Sequence, residues 1–134
     1  MNPVAVDTNI LARLATGDHP GEHRAVLAAL AAQPWRLFTT VILETEWVLR
    51  SVYGYTPAQF AAFVEWLEAH PQVQFADAAL IRDAIGYHRA GVDFADALHI
   101  AQAQGMTFLT LDRKLLRKAA HRGMRAQSPS AARA

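Results

Sequence analysis

The stretch that decides the fold is Pro3-Val4-Ala5-Val6-Asp7-Thr8-Asn9, close to the start of the chain. Its small apolar residues lead directly into an acid, a hydroxyl and an amide, and the apolar pattern Ile10-Leu11-Ala12-Arg13-Leu14 follows. This order predicts a buried strand that ends at Asp7 and turns at once into a helix. The Asp7 carboxylate would then lie at the mouth of a sheet and not in its core.

Helical and strand patterns alternate along the rest of the 134 residues. Helices are predicted roughly over residues 22–32, 41–53, 57–69, 78–89 and 94–104, and strands near 35–39, 73–75, 106–111 and 124–127. Such alternation predicts an α/β fold, a three-layer α/β/α domain in which helices flank a short parallel sheet of four to five strands. The domain would span residues 1–127, and the small, polar residues 128–134 would form a disordered tail.

The composition excludes several classes of protein. The chain has no cysteine, which excludes disulfides, thiolate nucleophiles and cysteine–metal sites and fits a reducing cytoplasm. No apolar run approaches the roughly 20 residues of a membrane span. The first residues lack the basic and apolar regions of a signal peptide. We therefore expect a cytoplasmic protein that does not associate with a membrane.

The net charge of +1 hides a strong asymmetry. Seven of the 13 basic residues follow Asp112, and no acidic residue does, so all 12 acids lie in residues 1–112. The basic residues directly after Asp112 are Arg113, Lys114, Arg117 and Lys118. This run suits contacts with RNA phosphates, and a solvated basic helix is the plainer alternative.

Four acids are candidates for one site at the carboxyl edge of the predicted sheet. Asp7 and Asp112 each follow a strand directly, and parallel strands end at the same edge. Asp96 lies in the first turn of a predicted helix, and Asp93, three residues earlier, is expected to cap that helix. Carboxylates that gather in this way need a hard cation, and Mg²⁺ or Mn²⁺ bound by oxygen characteristically acts on phosphate esters.

The helix predicted over residues 41–53 carries two further acids. Glu44 has Val41 and Val48 as helical neighbours, so we expect it on the packed side of the helix. Glu46 has Arg50 four residues later, which suits a solvated ion pair. Glu44 is therefore the candidate for the site, and whether Glu46 or Asp93 joins it stays open.

Four short motifs follow one another in a characteristic order. They are Val6-Asp7-Thr8-Asn9-Ile10-Leu11, Thr40-Val41-Ile42-Leu43-Glu44, Asp96-Ala97-Leu98-His99-Ile100-Ala101 and Leu109-Thr110-Leu111-Asp112. Together they resemble the motif set of PIN-domain ribonucleases and, within these, the VapC-type toxins of bacterial toxin–antitoxin pairs. Residues 43–50 and 93–99 are typical of one branch of those toxins, and the resemblance covers roughly residues 4–115.

The resemblance implies a site of four acids. Asp7 and Asp96 would bind Mg²⁺ or Mn²⁺ directly, and Glu44 and Asp112 would complete the shell, partly through water. Three further residues would support the site. Thr8 would form a hydrogen bond within it, Asn9 would help to hold the turn after the first strand, and Thr110 matches a hydroxyl position of the family.

The activity implied is metal-dependent endonucleolytic hydrolysis of RNA, with water as nucleophile and a 5′-phosphate product. The implied partners are an RNA substrate, a second copy of the chain in a homodimer, and a small antitoxin whose carboxyl-terminal segment docks near the acids. One alternative is a PIN-fold protein that binds RNA or a partner without cleavage. Another is a phosphatase acting through an aspartyl-phosphate, but such chemistry usually places an acid where Asn9 stands.

The histidines and tryptophans are further candidates for functional or structural roles. His99 follows Asp96 by three residues on the same side of the helix, so it would touch the substrate or the metal shell, or serve as a hydrogen-bonded structural residue. His88 is expected at the surface. The tryptophans fall at spacings typical of a core or a subunit interface, and we expect Trp35, Trp47 and Trp66 there.

Overall fold

The opening stretch forms a strand and a helix in the computed structural model, which describes residues 1–132. Strand β1 covers Val4–Ala5 and helix α1 covers Thr8–Thr16, with Asp7 as its N-cap. The predicted strand is confirmed in place, but it is shorter and less buried than expected, since Val4 is half-buried and Ala5 is exposed. The predicted order of a strand, an acidic residue and a helix is therefore confirmed, whereas the predicted burial of the strand is not.

The chain forms two compact units, which divide after residue 78. In the first unit, α2 (Pro20–Ala32), β2 (Trp35–Leu37), α3 (Thr39–Tyr53), α4 (Pro57–Ala69) and β3 (Val73–Phe75) follow α1. The second unit contains α5 (Ala78–Arg89), α6 (Phe94–Ala103), β4 (Phe108–Leu109), α7 (Arg113–Arg122), β5 (Ala126–Gln127) and α8 (Pro129–Ala132). The helix-rich α/β fold class is confirmed.

All strand pairs are parallel, as the alternation of strands and helices predicts. In the first unit β1, β2 and β3 are neighbours in that order, and Trp35 pairs with Val4 on one side and Val73 on the other. In the second unit β4 pairs with β5, with Phe108 opposite Ala126. The five strands thus form one sheet of three and one of two, where a single sheet of four to five strands was expected.

Buried apolar side chains explain where the helices lie. The first unit packs around Leu11, Trp35, Leu49, Phe60 and Leu67, each at most 2% exposed. Helix α4 begins as its sequence predicts, since the Thr56 hydroxyl accepts from the Gln59 N–H and the Gln59 side chain accepts from the Thr56 N–H.

The second unit has a core of its own. It packs around Ile81, Ala84, Val92, Phe94 and Ala97, each at most 2% exposed. Helix α5 has the predicted bounds, and Ile81, Ala84 and Ile85 are buried on it while Leu80 is half-buried. The starts of α6 and α7 both belong to this unit.

The end of the chain and the tryptophans differ from expectation. Helix α8 occupies part of the segment predicted to be a disordered tail, and residues 133–134 lie outside the described residues. Trp35 is buried as predicted, but the expectation is wrong for Trp47 and Trp66 as core residues, because they are 57% and 47% exposed. Every helix within residues 1–132 is too short or too polar to cross a membrane.

A polar cluster joins the loop after α1 to α3. The Tyr53 hydroxyl donates to one Asp18 oxygen at 2.7 Å, and the Thr16 hydroxyl donates to the other at 2.8 Å. The hydrogen bond from Tyr53, then that from Thr16, lowers the pKa of the Asp18 carboxyl. A lowered carboxyl pKa stabilises the fold above the pKa of the unfolded chain, and that contribution is lost as the pH falls through the folded-state pKa.

We expect Tyr53→Phe to raise the pKa of Asp18, because the variant lacks the hydroxyl that donates to its carboxylate. NMR titration of the Asp18 side-chain carboxyl carbon measures this directly. Tyr87→Phe is the control, since Tyr87 lies on α5 in the second unit and should leave the Asp18 titration unchanged. An unchanged Asp18 pKa in Tyr53→Phe would contradict the assignment of the shift to this hydrogen bond.

Candidate active site

Asp7 lies where the sequence predicts, at the turn between β1 and α1. Its carboxylate is exposed, and one oxygen accepts from the Thr8 N–H at 2.7 Å. Thr8 is only 6% exposed, and its hydroxyl has no hydrogen-bond partner within residues 1–132. The side chain of Asn9 is exposed. Asp7 therefore holds its own turn while it presents a carboxylate to solvent.

The two glutamates of α3 exchange the environments that were expected for them. Glu44 is exposed, so its prediction on the packed side is wrong, and Glu46 is only 3% exposed, so its prediction as a solvated residue is also wrong. The helix buries Ile42, Thr45, Glu46 and Leu49. This stripe is rotated by about 100° from one through Val41 and Val48, because successive helical residues are about 100° apart.

Glu46 is held in the packed face by an ion pair. The Arg50 Nε donates to a Glu46 carboxylate oxygen at 2.9 Å, and the predicted pairing of these two residues is confirmed. A buried carboxylate that is already paired is poorly suited to bind a further cation. Of the two glutamates, exposed Glu44 is consequently the one that can face a ligand.

Three acids meet in the second unit. Asp93, Asp96 and Asp112 line one small cavity of about 80 Å³, together with Lys114 and Lys118. Two of them lie at the start of α6, and Asp112 lies at the start of α7. The structure thus brings Asp96 and Asp112, two acids of the predicted site, to one cavity within this unit, and Asp93 accompanies them.

The start of α7 fixes the position of Asp112. One of its carboxylate oxygens accepts from the Lys114 N–H at 3.0 Å and from the Leu115 N–H at 3.1 Å. The Thr110 hydroxyl accepts from the Asp112 N–H at 3.1 Å. Strand β4 covers only Phe108–Leu109 and is thus shorter than the strand predicted over residues 106–111.

Asp93 is the N-cap residue of α6 by position only. Its side chain makes no capping hydrogen bond within the described part of the chain, although a side-chain cap was expected. Its carboxylate therefore remains free of the helix that it precedes. This leaves Asp93 as a third acid beside Asp96 and Asp112.

The electrostatics of Asp96 reflect this crowding. Burial raises the pKa of the Asp96 carboxyl, and the negative charges of Asp93 and Asp112 raise it further. The nearby His99 lowers the pKa of the same carboxyl. The ionised form of Asp96 is thus disfavoured in the protein alone, and a cation at this cavity would favour it.

The donor chemistry fits a hard divalent cation. All three side chains offer carboxylate oxygens, the ligands that Mg²⁺ and Mn²⁺ prefer, and Mg²⁺ is commonly held by one or two carboxylates and several waters. Among residues 1–132, however, no three acidic or histidine side chains are already arranged around one point as ligands. The cavity therefore supplies suitable donors without a closed cage.

The basic helix α7 divides into two sets of residues. Arg113, Lys114 and Arg117 are exposed, as expected for cations that contact phosphate. Lys118, by contrast, donates through its ammonium group to the carbonyl of Gly91, and Arg122 donates to the carbonyl of Ala90 at 3.3 Å. These last two residues hold the segment that leads into α6.

A buried histidine, His88, also contacts the segment that leads into α6. The ring Nδ1 of His88 lies 2.8 Å from the carbonyl oxygen of Val92, and its ring packs edge-on against Phe94 at 5.3 Å. His88 is only 5% exposed, so the expectation of a surface residue is wrong. Its neighbours Ala84 and Ile85 on the buried face of α5 were the available sequence signal.

His99 is exposed, and its ring stacks on that of Phe108. The ring centroids are 6.1 Å apart and the planes differ by 12°. Phe108 was not recognised as a candidate from the sequence, because only the fold brings β4 beside α6. The two rings therefore add an aromatic feature to the acidic part of the second unit.

Comparison with known proteins identifies one family. The family model described as PIN domain matches residues 4–121, which is most of the chain and includes parts of both units. No curated protein matches the chain.

We expect Asp96→Asn to raise the melting temperature at neutral pH in the presence of a chelator. The raised pKa means that ionised Asp96 costs stability, and this cost grows as the pH rises from the pKa of the unfolded chain through that of the fold. The neutral amide removes the cost, so the difference from the wild type should shrink in acid. Thermal unfolding followed by circular dichroism measures both effects.

Asp83→Asn provides the matched control for this stability measurement. Asp83 is an exposed residue on α5, so its substitution should leave the melting temperature unchanged within error. A lower melting temperature for Asp96→Asn than for the wild type at neutral pH would contradict the destabilising charge assigned to Asp96.

Proposed function

The chain belongs to the PIN domain family, and from this premise we propose that it is a metal-dependent endoribonuclease that hydrolyses RNA phosphodiester bonds. PIN domains are generally metal-dependent nucleases, they generally bind divalent metals such as Mg²⁺, and PIN nucleases bind RNA. A nuclease-type fold is thus given by the family. The activity of this chain is the proposal.

One observation carries the proposal, namely the three carboxylates that share a small cavity at the starts of α6 and α7. Their mutual repulsion and the burial of Asp96 cost stability, and such costs persist mainly where a site has a function. A hard cation neutralises this charge. The exposed Arg113, Lys114 and Arg117 on α7 supply positive charge for the backbone of a nucleic acid.

We assign the roles of the acids as the family motifs order them. Asp96 and Asp7 bind the ion directly, and Asp112 and Glu44 bind it partly through water, with Asp93 as an additional carboxylate. The order of the family motifs supports the assignment of Asp7 and Glu44, and the carboxylates of both residues are exposed. When bound, the ion supplies Lewis-acid chemistry at the scissile phosphate and lowers the pKa of a water.

The protein's own residues perform the remaining work. Asp112 is held rigidly by its two backbone hydrogen bonds, so its outward oxygen keeps one direction. Asp96 is half-buried, and partial exclusion of water strengthens electrostatic interactions there. The hydroxyl of Thr8, which has no hydrogen-bond partner within residues 1–132, is assigned a hydrogen bond within the site. Exposed Arg117 and Lys114 bind phosphates adjacent to the cleaved one.

The biological role that we propose is that of a toxin in a toxin–antitoxin pair, acting as a homodimer in the cytoplasm. An apolar cavity of about 570 Å³ in the first unit supports a small protein partner. It is lined by residues of several helices, among them Leu27 of α2 and Phe63 and Trp66 of α4. The carboxyl-terminal segment of an antitoxin would bind there and block the nuclease.

A second candidate is a PIN-fold protein that binds RNA or a partner without cleavage. It is favoured by the lack of three side chains already arranged around one point within residues 1–132. Calorimetric titration with Mn²⁺ separates the two candidates. Binding at micromolar concentration that is lost in Asp96→Asn supports the nuclease, and no binding below millimolar concentration supports the second candidate.

We expect purified protein with Mg²⁺ or Mn²⁺ to cleave structured RNA and to leave 5′-phosphate ends. Asp96→Asn and Asp7→Asn should each lower the cleavage rate by more than about 100-fold, since changing even the residues that orient metal ligands costs roughly 10- to 100-fold. Gel electrophoresis of end-labelled RNA measures the rate. Phosphatase treatment followed by relabelling identifies the 5′ ends.

Asp83→Asn is the control for this assay, because it removes an exposed carboxylate from α5 and should cleave at the wild-type rate. Wild-type cleavage by Asp96→Asn would overturn the assignment of the site. Cleavage by no form of the protein, with intact RNA binding, would favour the binding protein instead.

A further inference from the structure

The stacked rings of His99 and Phe108 form an aromatic surface in the second unit. Their planes are 12° from parallel and their centroids are 6.1 Å apart, so the two rings lie in an offset, near-parallel arrangement. Phe108 is half-buried while His99 is exposed. The pair therefore presents the flat imidazole ring of His99 to solvent, with the ring of Phe108 beside it.

Helical spacing places this surface beside the acids. His99 follows Asp96 by three residues on α6, so the two side chains share one side of the helix. An occupant of the outer ring face would thus lie next to the acidic cavity.

Strand β4 joins the other ring to the same acids. The N–H groups of Phe108 and Thr110 donate to the carbonyls of Arg125 and Gln127, so alternate residues of this stretch point to one face. On that face the Thr110 hydroxyl accepts a hydrogen bond from the Asp112 N–H. Phe108 therefore shares a face with the hydroxyl that accepts from the N–H of Asp112, the third acid.

We propose that the His99–Phe108 pair is a stacking subsite for one unpaired nucleobase of the RNA substrate, adjacent to the scissile phosphate. This inference rests on the proposed nuclease function. Unstacked RNA bases bind on the faces of aromatic side chains, including histidine and phenylalanine, and this contact tolerates any base. Because the two rings already stack, little conformational freedom is lost when a base adds to them.

The subsite selects the structure of the RNA more than its sequence. A base inside a duplex has both faces covered by its neighbours, so it cannot stack on His99 without first leaving the helix. The preferred substrate is consequently a single-stranded loop, bulge or end. Base contacts of this kind add affinity beyond that of the phosphate contacts from α7.

The test measures binding without added divalent cation, so that cleavage does not interfere. Fluorescence anisotropy compares a short labelled oligoadenylate with a strand of equal length whose central nucleotide lacks its base. The proteins are the wild type, His99→Ala, His99→Phe and the control Gln102→Ala, which changes an exposed residue on the same helix. His99→Phe keeps a flat ring and removes the imidazole nitrogens.

We expect His99→Ala to weaken oligoadenylate binding by about tenfold, in line with the affinity of one base on one aromatic ring. His99→Phe and Gln102→Ala should bind like the wild type. The base-free strand should bind more weakly to the wild type, and His99→Ala should change its affinity little. Circular dichroism of each variant checks that the fold is retained.

Three results would overturn the inference. Wild-type affinity in His99→Ala would show that no base stacks there. Equal loss in His99→Phe and His99→Ala would show that the imidazole acts by hydrogen bonding or charge. An equal effect of His99→Ala on both strands would assign His99 to the backbone. In each case Mg²⁺-dependent cleavage by the wild type leaves the nuclease proposal intact, whereas an RNA that is neither bound nor cleaved overturns both proposals.

Discussion

The repulsion among three carboxylates is the constraint on which the second unit depends. Asp93, Asp96 and Asp112 share a cavity of about 80 Å³, and burial and their mutual charge raise the pKa of Asp96. The starts of α6 and α7 meet this demand in part, because the amino-terminal ends of helices favour negative charge. Neutral and basic groups then hold the backbone around the acids, notably His88 at the Val92 carbonyl.

Local signals in the sequence were sufficient where one residue type decides the structure. Asp7 after a strand, the start of α4 at Pro57 and the bounds of α5 are of this kind, since each depends on neighbours within a few residues. The proximity of Asp96 and Asp112 was also predictable, because helices and strands of a parallel fold present their starts and ends at a common edge.

Predictions failed where two faces of an element were nearly equivalent or where a tertiary contact decided the outcome. On α3 the stripe through Val41 and the stripe through Ile42 both carry apolar residues, and the fold buries the second, which exposes Glu44 and buries Glu46. The roles of Lys118 at Gly91 and of His99 on Phe108 depend on residues that are distant in sequence or on another element. No local pattern reports such contacts.

The contacts of α7 with backbone carbonyls have a consequence for the thermodynamics of the RNA association that we propose. The logarithm of the affinity falls linearly with the logarithm of the salt concentration, with a slope of about 0.7 per neutralised phosphate on a single strand. Only those cations that displace condensed counterions from phosphates contribute to this slope. Lys118 and Arg122 are engaged with Gly91 and Ala90, so fewer cations of the helix are available than its sequence suggests. The dependence of the RNA affinity on ionic strength is accordingly set by the fold and not by the number of basic residues.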